Sequence, residues 1–397
     1  MSTAAAPRTR PRAPKLARGP RLALTAAAIV AGVILPFFLD AGGGFIDDAT
    51  LALAYVVMAL GLNIIVGFAG LLDLGYVAFF AIGAYTMGYF GSLFHIEANG
   101  GEGIHVLVTG PAAELPGIHL NFLLIVVLAI IATTIAGMLI GLPTLRLRGD
   151  YIAIVTLAFG EIVGRIALNG DEITGFGTKL TNGRQGITPV DKIDLPFIEP
   201  FTSLNLRPWY WVAFVMVLLV LFVNFRLRDS RLGRAWIALR EDEVAAVSMG
   251  VPAVKTKLLA YGTGAAFGGI SGAFLGSYLN TVNADQFQFS FSIFILAMVI
   301  LGGLGSIWGV VVGAIALSFI NNRLIPDVLN EIPGNIGLDF DLTELSFGIF
   351  GFLLVIMMVL RPEGLIPERR RQIELSEGIE DLAVDEDEEP VVHATVP

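Results

Sequence analysis

The sequence predicts an all-α polytopic membrane protein with about ten transmembrane helices and one short polar helix on the cytoplasmic side. Three observations support this fold class. Of 397 residues, 55% are hydrophobic and only 15% are charged, and the mean hydropathy is +0.75. Long uncharged runs recur along the chain, and the basic residues concentrate in a few of the segments between them. Both patterns are typical of proteins that cross a bilayer several times.

The uncharged runs mark the spans, because a span needs about 20 apolar residues. They lie at 22–39, 49–72, 74–94, 120–145, 208–225, 258–284, 286–322 and 345–360. As a single helix the run 286–322 would reach about 55 Å, beyond a hydrocarbon core of about 30 Å. It contains the sequence Gly302-Gly303-Leu304-Gly305-Ser306. We therefore expect a break there and two shorter spans.

Segment 151–168 is a further candidate span, although it contains Glu161 and Arg165. These residues are four apart, on one face of a helix and in the favourable order for an ion pair. A paired, inward-facing couple would make this span tolerable. The prediction is therefore ten spans. Eight spans with a re-entrant pair remain an alternative with the same orientation.

The distribution of positive charge predicts the orientation. Nineteen of the 25 Lys and Arg residues lie in segments 1–21, 146–150, 226–257 and 361–397. Ten crossings place these four segments on one side, which the positive-inside rule assigns to the cytoplasm. We thus expect both termini in the cytoplasm.

The two ends of the chain differ in composition from the membrane domain at 22–367. The head, residues 1–21, is basic and proline-rich, and the tail, residues 368–397, is acidic. The tail largely accounts for the net charge of −10. Runs of like charge with few apolar residues are typical of disordered, solvated segments, so we expect disorder in both.

Several chemistries are excluded or unsupported by the sequence. The chain has no cysteine, which excludes disulfides and thiolate catalysis. Its four histidines share no metal-ligand spacing, and neither a nucleophile elbow nor a catalytic carboxylate pair is recognisable. It contains no G-x-x-x-x-G-K-[ST] sequence. We therefore expect no enzyme activity, no metal and no cofactor in this chain, and any ATP must be hydrolysed by another polypeptide.

A polar interruption, Ser230–Gly250, separates two apolar runs and predicts a short ordered helix. Asp242 is suited to cap it, and Glu243 lies in its first turn, where a carboxylate is favourable. Gly250 followed by Pro252 predicts its end. Small residues between these points would allow the helix to dock into a groove on another protein.

This segment resembles the cytoplasmic coupling motif of ABC-importer permeases, in the sequence Glu243-Val-Ala-Ala with Gly250 four positions further on. Four other segments, at 62–85, 145–162, 299–309 and 361–367, resemble the branched-chain amino acid permease family. Their order and spacing are similar to those of its M-type subunit. The similarity covers roughly residues 48–367.

The resemblance implies the membrane-spanning permease subunit of an ABC importer, which moves branched-chain or related apolar amino acids inward. It also implies its partners: a second homologous permease, two ATPase subunits that bind ATP, and an extracytoplasmic amino-acid-binding protein. A urea or short-amide permease of the same family is an alternative, and an ion-coupled secondary transporter is another. The residues expected to couple the chain to the ATPase are Arg240, Glu241, Asp242, Glu243, Ala245, Ala246 and Gly250.

Polar residues near the apolar runs are candidates for the transport pathway. They are Asn63, Asp73, Tyr76, Glu161, Arg165 and Asn280. Each has a structural alternative: a helix cap for Asp73, which we favour, hydrogen bonds between helices for Asn63, Tyr76 and Asn280, and a structural ion pair for Glu161 and Arg165. Glycine-rich breaks at 67–75 and 302–309 form a weak internal repeat. Paired breaks of this kind often mark a transporter pathway, and helix packing explains them equally well.

Overall fold

The computed structural model describes residues 18–96, 99–108, 110–145, 147, 150–175, 178–194, 201–329, 345–361 and 363–366. Most of the predicted basic head and all of the predicted acidic tail lie outside the described residues, as does part of segment 146–150.

The described chain is dominated by helices, joined by short connections and a few two- to four-residue strands. The helices are α1 (Arg18–Phe38), α2 (Gly44–Leu62), α3 (Val77–Phe90), α4 (Phe122–Thr144), α5 (Asp150–Asn169), α6 (Arg207–Arg228), α7 (Arg231–Glu241), α8 (Glu243–Ser248), α9 (Ala253–Tyr278), α10 (Phe289–Gly302), α11 (Ile307–Phe319) and α12 (Ser346–Leu360). Two π-helical segments, Asn63–Phe68 and Ile320–Leu329, extend α2 and α11.

The predicted break inside the run 286–322 is confirmed, because α10 ends at Gly302 and α11 begins at Ile307. The run 258–284 is shorter as a helix than the sequence predicts. Helix α9 ends at Tyr278, and Asn280 follows in a left-handed turn with φ +57°. The backbone reverses direction there although the residues stay uncharged.

Six of the described helices are long and apolar enough to cross a membrane. Their bounds are Gly44–Phe68, Phe122–Thr144, Tyr151–Asn169, Arg207–Arg228, Ala253–Tyr278 and Ile307–Asp327. Shorter apolar helices lie at Ile29–Phe38, Val77–Phe90, Phe289–Gly302 and Gly348–Leu360. Six of the about ten predicted spans are thus supported by helices of sufficient length and hydropathy, and the full count is not confirmed.

Helix α9 forms the centre of the bundle and packs against α2, α3 and α4. Its glycines permit this close packing. A Cβ added at Gly83 of α3 would lie 2.6 Å from the Cα of Gly269, so the two backbones are almost in contact. Small residues provide such contacts between membrane helices, where burial of apolar surface gives little advantage over lipid. Ser271 adds a hydrogen bond of 2.9 Å to the carbonyl of Ala54 in α2.

A small polar cap covers the bundle at the C-terminal end of α9. The strands β1 (Gly91–Ser92), β2 (Gly103–Val106) and β3 (Gly117–Leu120) form a sheet in the order β1-β3-β2, with β3 antiparallel to β1 and parallel to β2. A short hairpin pairs β4 (Thr174–Gly175) with β5 (Thr178–Lys179).

Asp191 connects this cap to α9. Its carboxylate contacts Nδ1 of the buried His119 at 2.6 Å, and its backbone oxygen accepts a hydrogen bond of 2.7 Å from Ser277. Burial raises the pKa of the Asp191 carboxyl, and the hydrogen bond from His119 acts in the opposite direction. The His105 ring stacks on that of His119 at 5.5 Å. In the cap, two of the histidines therefore hold loops together.

Candidate functional site

The cytoplasmic segment 226–257 is predicted to be the coupling segment. Its central residues 230–250, to which this name is given below, form two short helices, α7 and α8. Ser230 caps α7 by accepting a hydrogen bond of 3.1 Å from the amide of Gly233. Asp242 caps α8, with Oδ1 accepting from the amide of Ala245 at 2.9 Å. Gly250 has φ +89° and donates its amide to the carbonyl of Val247 at 2.9 Å. The predicted cap and the predicted end of the helix are both present.

The coupling segment is fixed to the first turn of α9. The buried Trp236 donates its indole N–H to the carbonyl of Thr256 at 2.7 Å. Glu243 forms an ion pair of 2.7 Å with Lys257. Ala246, 6% exposed, faces inward. These contacts connect the segment to the N-terminal end of α9.

The opposite side of the coupling segment presents apolar side chains outward. Val244 is 74% exposed and Met249 is 87% exposed, and Ala245 is exposed between them. Val247 and Val254 continue this surface. Exposed apolar patches on an otherwise polar segment are typical of protein interaction sites.

Arg240, on the inner side of α7, reaches the first glycine break. Its Nη1 donates a hydrogen bond of 2.6 Å to the carbonyl of Gly67. Its side chain lies over Gly70, which has φ +69°, and a Cβ added there would be 2.6 Å from Cγ of Arg240. This contact requires glycine at position 70 for two reasons, the backbone conformation and the space.

The two glycine breaks are in direct contact. Oδ1 of Asn63 accepts a hydrogen bond of 2.9 Å from the amide of Gly305, and a Cβ added at Gly67 would lie 2.7 Å from the same nitrogen. Residues 363–366 pack against the second break, since Leu365 and Ile366 donate their amides to the carbonyls at 301 and 302. The weak internal repeat of the sequence thus corresponds to one packed site.

Helix α5 contacts the first break from another side. The amide of Leu74 donates to Oγ1 of Thr156 at 3.0 Å. A Cβ added at Gly160 would lie 2.9 Å from the Cα of Gly75. The break between α2 and α3 is therefore contacted by α7 at Gly67, by the α10–α11 connection at Asn63, and by α5 at Gly75.

Asp73 and Tyr76 lie within the same break. Oδ1 of Asp73 accepts from the amide of Gly75 at 2.8 Å, and its buried Oδ2 has no hydrogen-bond partner among the described residues. The aspartate stabilises the turn that precedes α3. It is not the helix cap that we favour from the sequence, because the N-cap position of α3 is Tyr76, which makes no side-chain cap hydrogen bond. The Tyr76 hydroxyl donates to the carbonyl of Gly264 at 2.8 Å. Tyr76 therefore forms a hydrogen bond between helices.

The remaining pathway candidates lie away from this break. Among the described ion pairs none joins Glu161 to Arg165, and both side chains instead line a cleft beside α5. Asn280 lies past the end of α9, where its carbonyl accepts from the amide of Val190 at 3.3 Å. Asn280 therefore connects α9 to the cap through its backbone.

Two contacts of the site were not predicted from the sequence. The hydrogen bond from Trp236 to Thr256 could have been anticipated, because a tryptophan in a charged segment is expected to bury its ring and satisfy its N–H. The hydrogen bond from Arg240 to Gly67 could not be predicted from local sequence, since it joins residues 173 positions apart.

The fold and this site together define a class of protein. Apolar helices long enough to span a bilayer pack around the central α9 together with helices interrupted at glycine breaks, and a polar helical segment lies at one end. On α4, exposed apolar residues recur at every fourth position, at Leu123, Val127, Ile131, Ile135 and Leu139. This is a multi-pass membrane protein.

Comparison with known proteins identifies the family. The model of the branched-chain amino acid transport system permease component matches residues 45–358, so the chain belongs to this family of transport permeases. It is 37% identical over 372 residues to the high-affinity branched-chain amino acid transport system permease protein LivM of Escherichia coli (strain K12) and of Salmonella typhimurium (strain LT2). Each alignment covers 89% of this chain and 76% of the relative.

A second type of permease is more distantly similar. LivH of Escherichia coli (strain K12), described with the same transport system, is 25% identical over 170 residues, which are 43% of this chain and 49% of the relative. No solved structure matches.

Proposed function

We propose that this chain is the membrane-spanning subunit of an ATP-binding-cassette importer that moves branched-chain or related apolar amino acids into the cell. The contact between Arg240 and Gly67 carries the proposal. This contact joins two parts of the chain. One is the coupling segment, which has an exposed apolar surface, and the other is the break between α2 and α3. A movement imposed on that surface therefore has a direct route into the membrane domain.

The route has three steps. An ATPase subunit docks on the exposed surface around Val244 and Met249, with the small Ala245 allowing close approach. Arg240 transmits the displacement to Gly67 and Gly70. From there it reaches Asn63 with the second break, and α5 through Thr156. The membrane domain has two arrangements, and the docked ATPase binds one of them more tightly than the other. ATP binding to the ATPase supplies the free energy that shifts the equilibrium between these arrangements.

The rest of the importer follows from the same proposal. Two ATPase subunits hydrolyse ATP, because this sequence has no P-loop. A second permease similar to LivH completes the membrane part, and an extracytoplasmic amino-acid-binding protein delivers the cargo. The complex resides in the bacterial inner membrane, with the coupling segment and both termini in the cytoplasm, where most Lys and Arg residues are concentrated.

Reconstitution tests the energy source. The chain is placed in proteoliposomes with its partners and leucine accumulation is measured with and without ATP. We expect accumulation that needs both ATP and the ATPase subunits and that survives collapse of ion gradients. Accumulation against a gradient by this chain alone, driven by an ion gradient, would contradict the proposal.

A further inference from the structure

An open cleft of about 400 Å³ lies beside α5, near the end of the bundle that carries the polar cap. Glu161 and Arg165 line it from α5. Arg184 lines it from the turn Gly183–Gln185, and Asp285 from the turn Ala284–Phe287 that follows α9. Two cations and two anions, brought together from three separate parts of the chain, thus share one cleft.

These four charges do not neutralise one another as ion pairs. None of the salt bridges in the part of the chain that the structure describes includes any of them. Glu161 and Arg165 belong to the apolar helix Tyr151–Asn169. An ionisable side chain on a membrane-spanning helix is costly unless it is paired or reaches water. The cleft is open, and its charged side chains are exposed or half-exposed, so they are available to a ligand.

The lining of the cleft also has an apolar part, here called the apolar wall. The partly exposed Leu168 and Phe289 and the buried Ala284 and Phe287 contribute to it, beside the polar Gln288 and Ser290. Gly164 allows α5 to approach this wall, because a Cβ at that position would lie 3.0 Å from the carbonyl oxygen of Phe287. A volume of about 400 Å³ is within the range of small-molecule sites. The cleft therefore combines fixed charges of both signs with an apolar surface.

We propose that this cleft binds a zwitterionic amino acid with an apolar side chain. Arg165 and Arg184 bind the α-carboxylate, because guanidinium groups match the geometry of a carboxylate. Glu161 and Asp285 bind the α-ammonium group, and the side chain of the amino acid lies against the apolar wall. The inference rests on the proposed function, and it assigns the chemistry of cargo recognition to residues of this chain.

The position of the cleft fits a site that the cargo reaches before the glycine breaks. The coupling segment precedes the first residue of α9, and the turn bearing Asp285 follows the last. About 39 Å of helix separates the two ends of α9. Helix α5 carries both Glu161 and Thr156, which bonds the first break at Leu74. One helix therefore joins the cleft to that break.

Direct binding tests the inference. The importer complex is purified without its binding protein, and its interaction with L-leucine is measured by saturation-transfer NMR. We expect binding of leucine, weaker binding of leucinamide, which lacks the carboxylate, and weaker binding of 4-methylpentanoate, which lacks the amine. Arg165→Gln and Glu161→Gln should each weaken leucine binding at least about tenfold, as expected for loss of one charge-assisted hydrogen bond.

Matched variants separate recognition from assembly. Lys179→Gln and Glu172→Gln remove exposed charges outside the cleft and should leave binding and uptake unchanged. Arg165→Lys, which retains a cation, should recover part of the binding lost in Arg165→Gln. Subunit co-purification and ATPase rate should be normal in all cleft variants. Loss of co-purification in Arg165→Gln without recovery in Arg165→Lys would assign Arg165 to assembly and overturn the inference.

The two proposals fail in different ways. If the wild-type complex accumulates leucine with ATP while Glu161→Gln and Arg165→Gln bind and transport leucine normally, the cleft is not the recognition site and the importer proposal stands. Equal binding of leucine, leucinamide and 4-methylpentanoate would also overturn the cleft assignment. If the wild-type complex accumulates no leucine with ATP, the importer proposal itself fails.

Discussion

Arg240 donates a hydrogen bond of 2.6 Å to the carbonyl of Gly67, although the two residues lie 173 positions apart in the sequence. The acceptor is a main-chain carbonyl, so the hydrogen bond stabilises the backbone conformation and does not depend on the side chains of that segment. The carbonyl belongs to the π-helical segment that ends α2. Segments of this kind are frequent at functional sites in helices. The contact therefore joins the coupling segment to a π-helical part of the bundle.

Replacement of Arg240 by Gln should reduce ATP-driven leucine uptake at least about tenfold, because a hydrogen bond from a charged group contributes about 1.5–3 kcal/mol. ATP hydrolysis should continue without transport. The measurement is uptake and ATPase rate in the same proteoliposomes. Arg234→Gln is the matched control, since the one hydrogen bond of the Arg234 side chain among the described residues goes to the nearby carbonyl of Asp229. Equal uptake in wild type and Arg240→Gln would exclude Arg240 from coupling.

Replacement of Asn63 by Ala should destabilise the packing of the two glycine breaks. The amide of Gly305 would lose its acceptor in a buried site, at a cost of about 1–3 kcal/mol. Thermal unfolding of the purified complex measures this loss. An identical melting temperature in the wild type and Asn63→Ala would show that this hydrogen bond does not hold the breaks together.

Ala245→Trp and Gly250→Leu should uncouple hydrolysis from uptake while sparing membrane insertion. An indole at the exposed Ala245 would overpack a docked partner, and overpacking costs about 1–3 kcal/mol. At Gly250 space is available, since nothing lies within 4 Å of an added Cβ, but φ is +89°. A side chain there costs about 1 kcal/mol or more and redirects Pro252. Pull-down of the ATPase subunits and uptake are measured together. If both variants retain the subunits and transport normally, the segment does not couple.

Gly269→Leu should prevent stable assembly of the bundle. A Cβ at position 269 would lie 2.6 Å from Cγ2 of Thr133 on α4, and the backbone also contacts Gly83 on α3. A leucine cannot fit between these backbones without separating them. Gly351→Leu on α12 is the control, because an added Cβ there meets nothing within 4 Å. Size-exclusion chromatography and melting temperature compare the two. Equal stability would disprove the close packing around α9.

Cysteine labelling tests the orientation. The sequence has no native cysteine, so only the introduced residue can react. A single Cys at position 243 should be protected from a membrane-impermeant reagent added outside intact cells. A Cys at position 102, in the polar cap, should react with it. Labelling at 243 from outside, with protection at 102, would invert the orientation.

The local features of the coupling segment could be predicted from the sequence, because the Asp242 cap and the Gly250 turn depend on neighbours within four residues. The break after Gly302 could be predicted for the same reason. The sequence did not predict the continuation of α2 as a π-helix over Asn63–Phe68, which stays uncharged and apolar. Hydropathy reports burial and says little about how the backbone hydrogen bonds are arranged.

The contacts that assemble the site depend on packing between distant segments. Spacing permits a pair between Glu161 and Arg165, but the cleft beside α5 offers both side chains another environment. Arg184 and Asp285 join them from segments whose approach only the folded bundle establishes. A single sequence carries no periodic signal for such an approach.

The continuous helix α9 has a mechanical consequence. It is an uninterrupted rod about 39 Å long, held at one end by the coupling segment through Trp236 and Lys257. A tilt of about 5° about that end would displace its other end by about 3 Å. Because glycines bring its neighbours almost into backbone contact, such a tilt cannot be absorbed by side-chain rearrangement and must move α2, α3 and α4 with it. For a given tilt, the displacement of the far end of α9 is therefore proportional to the length of the helix.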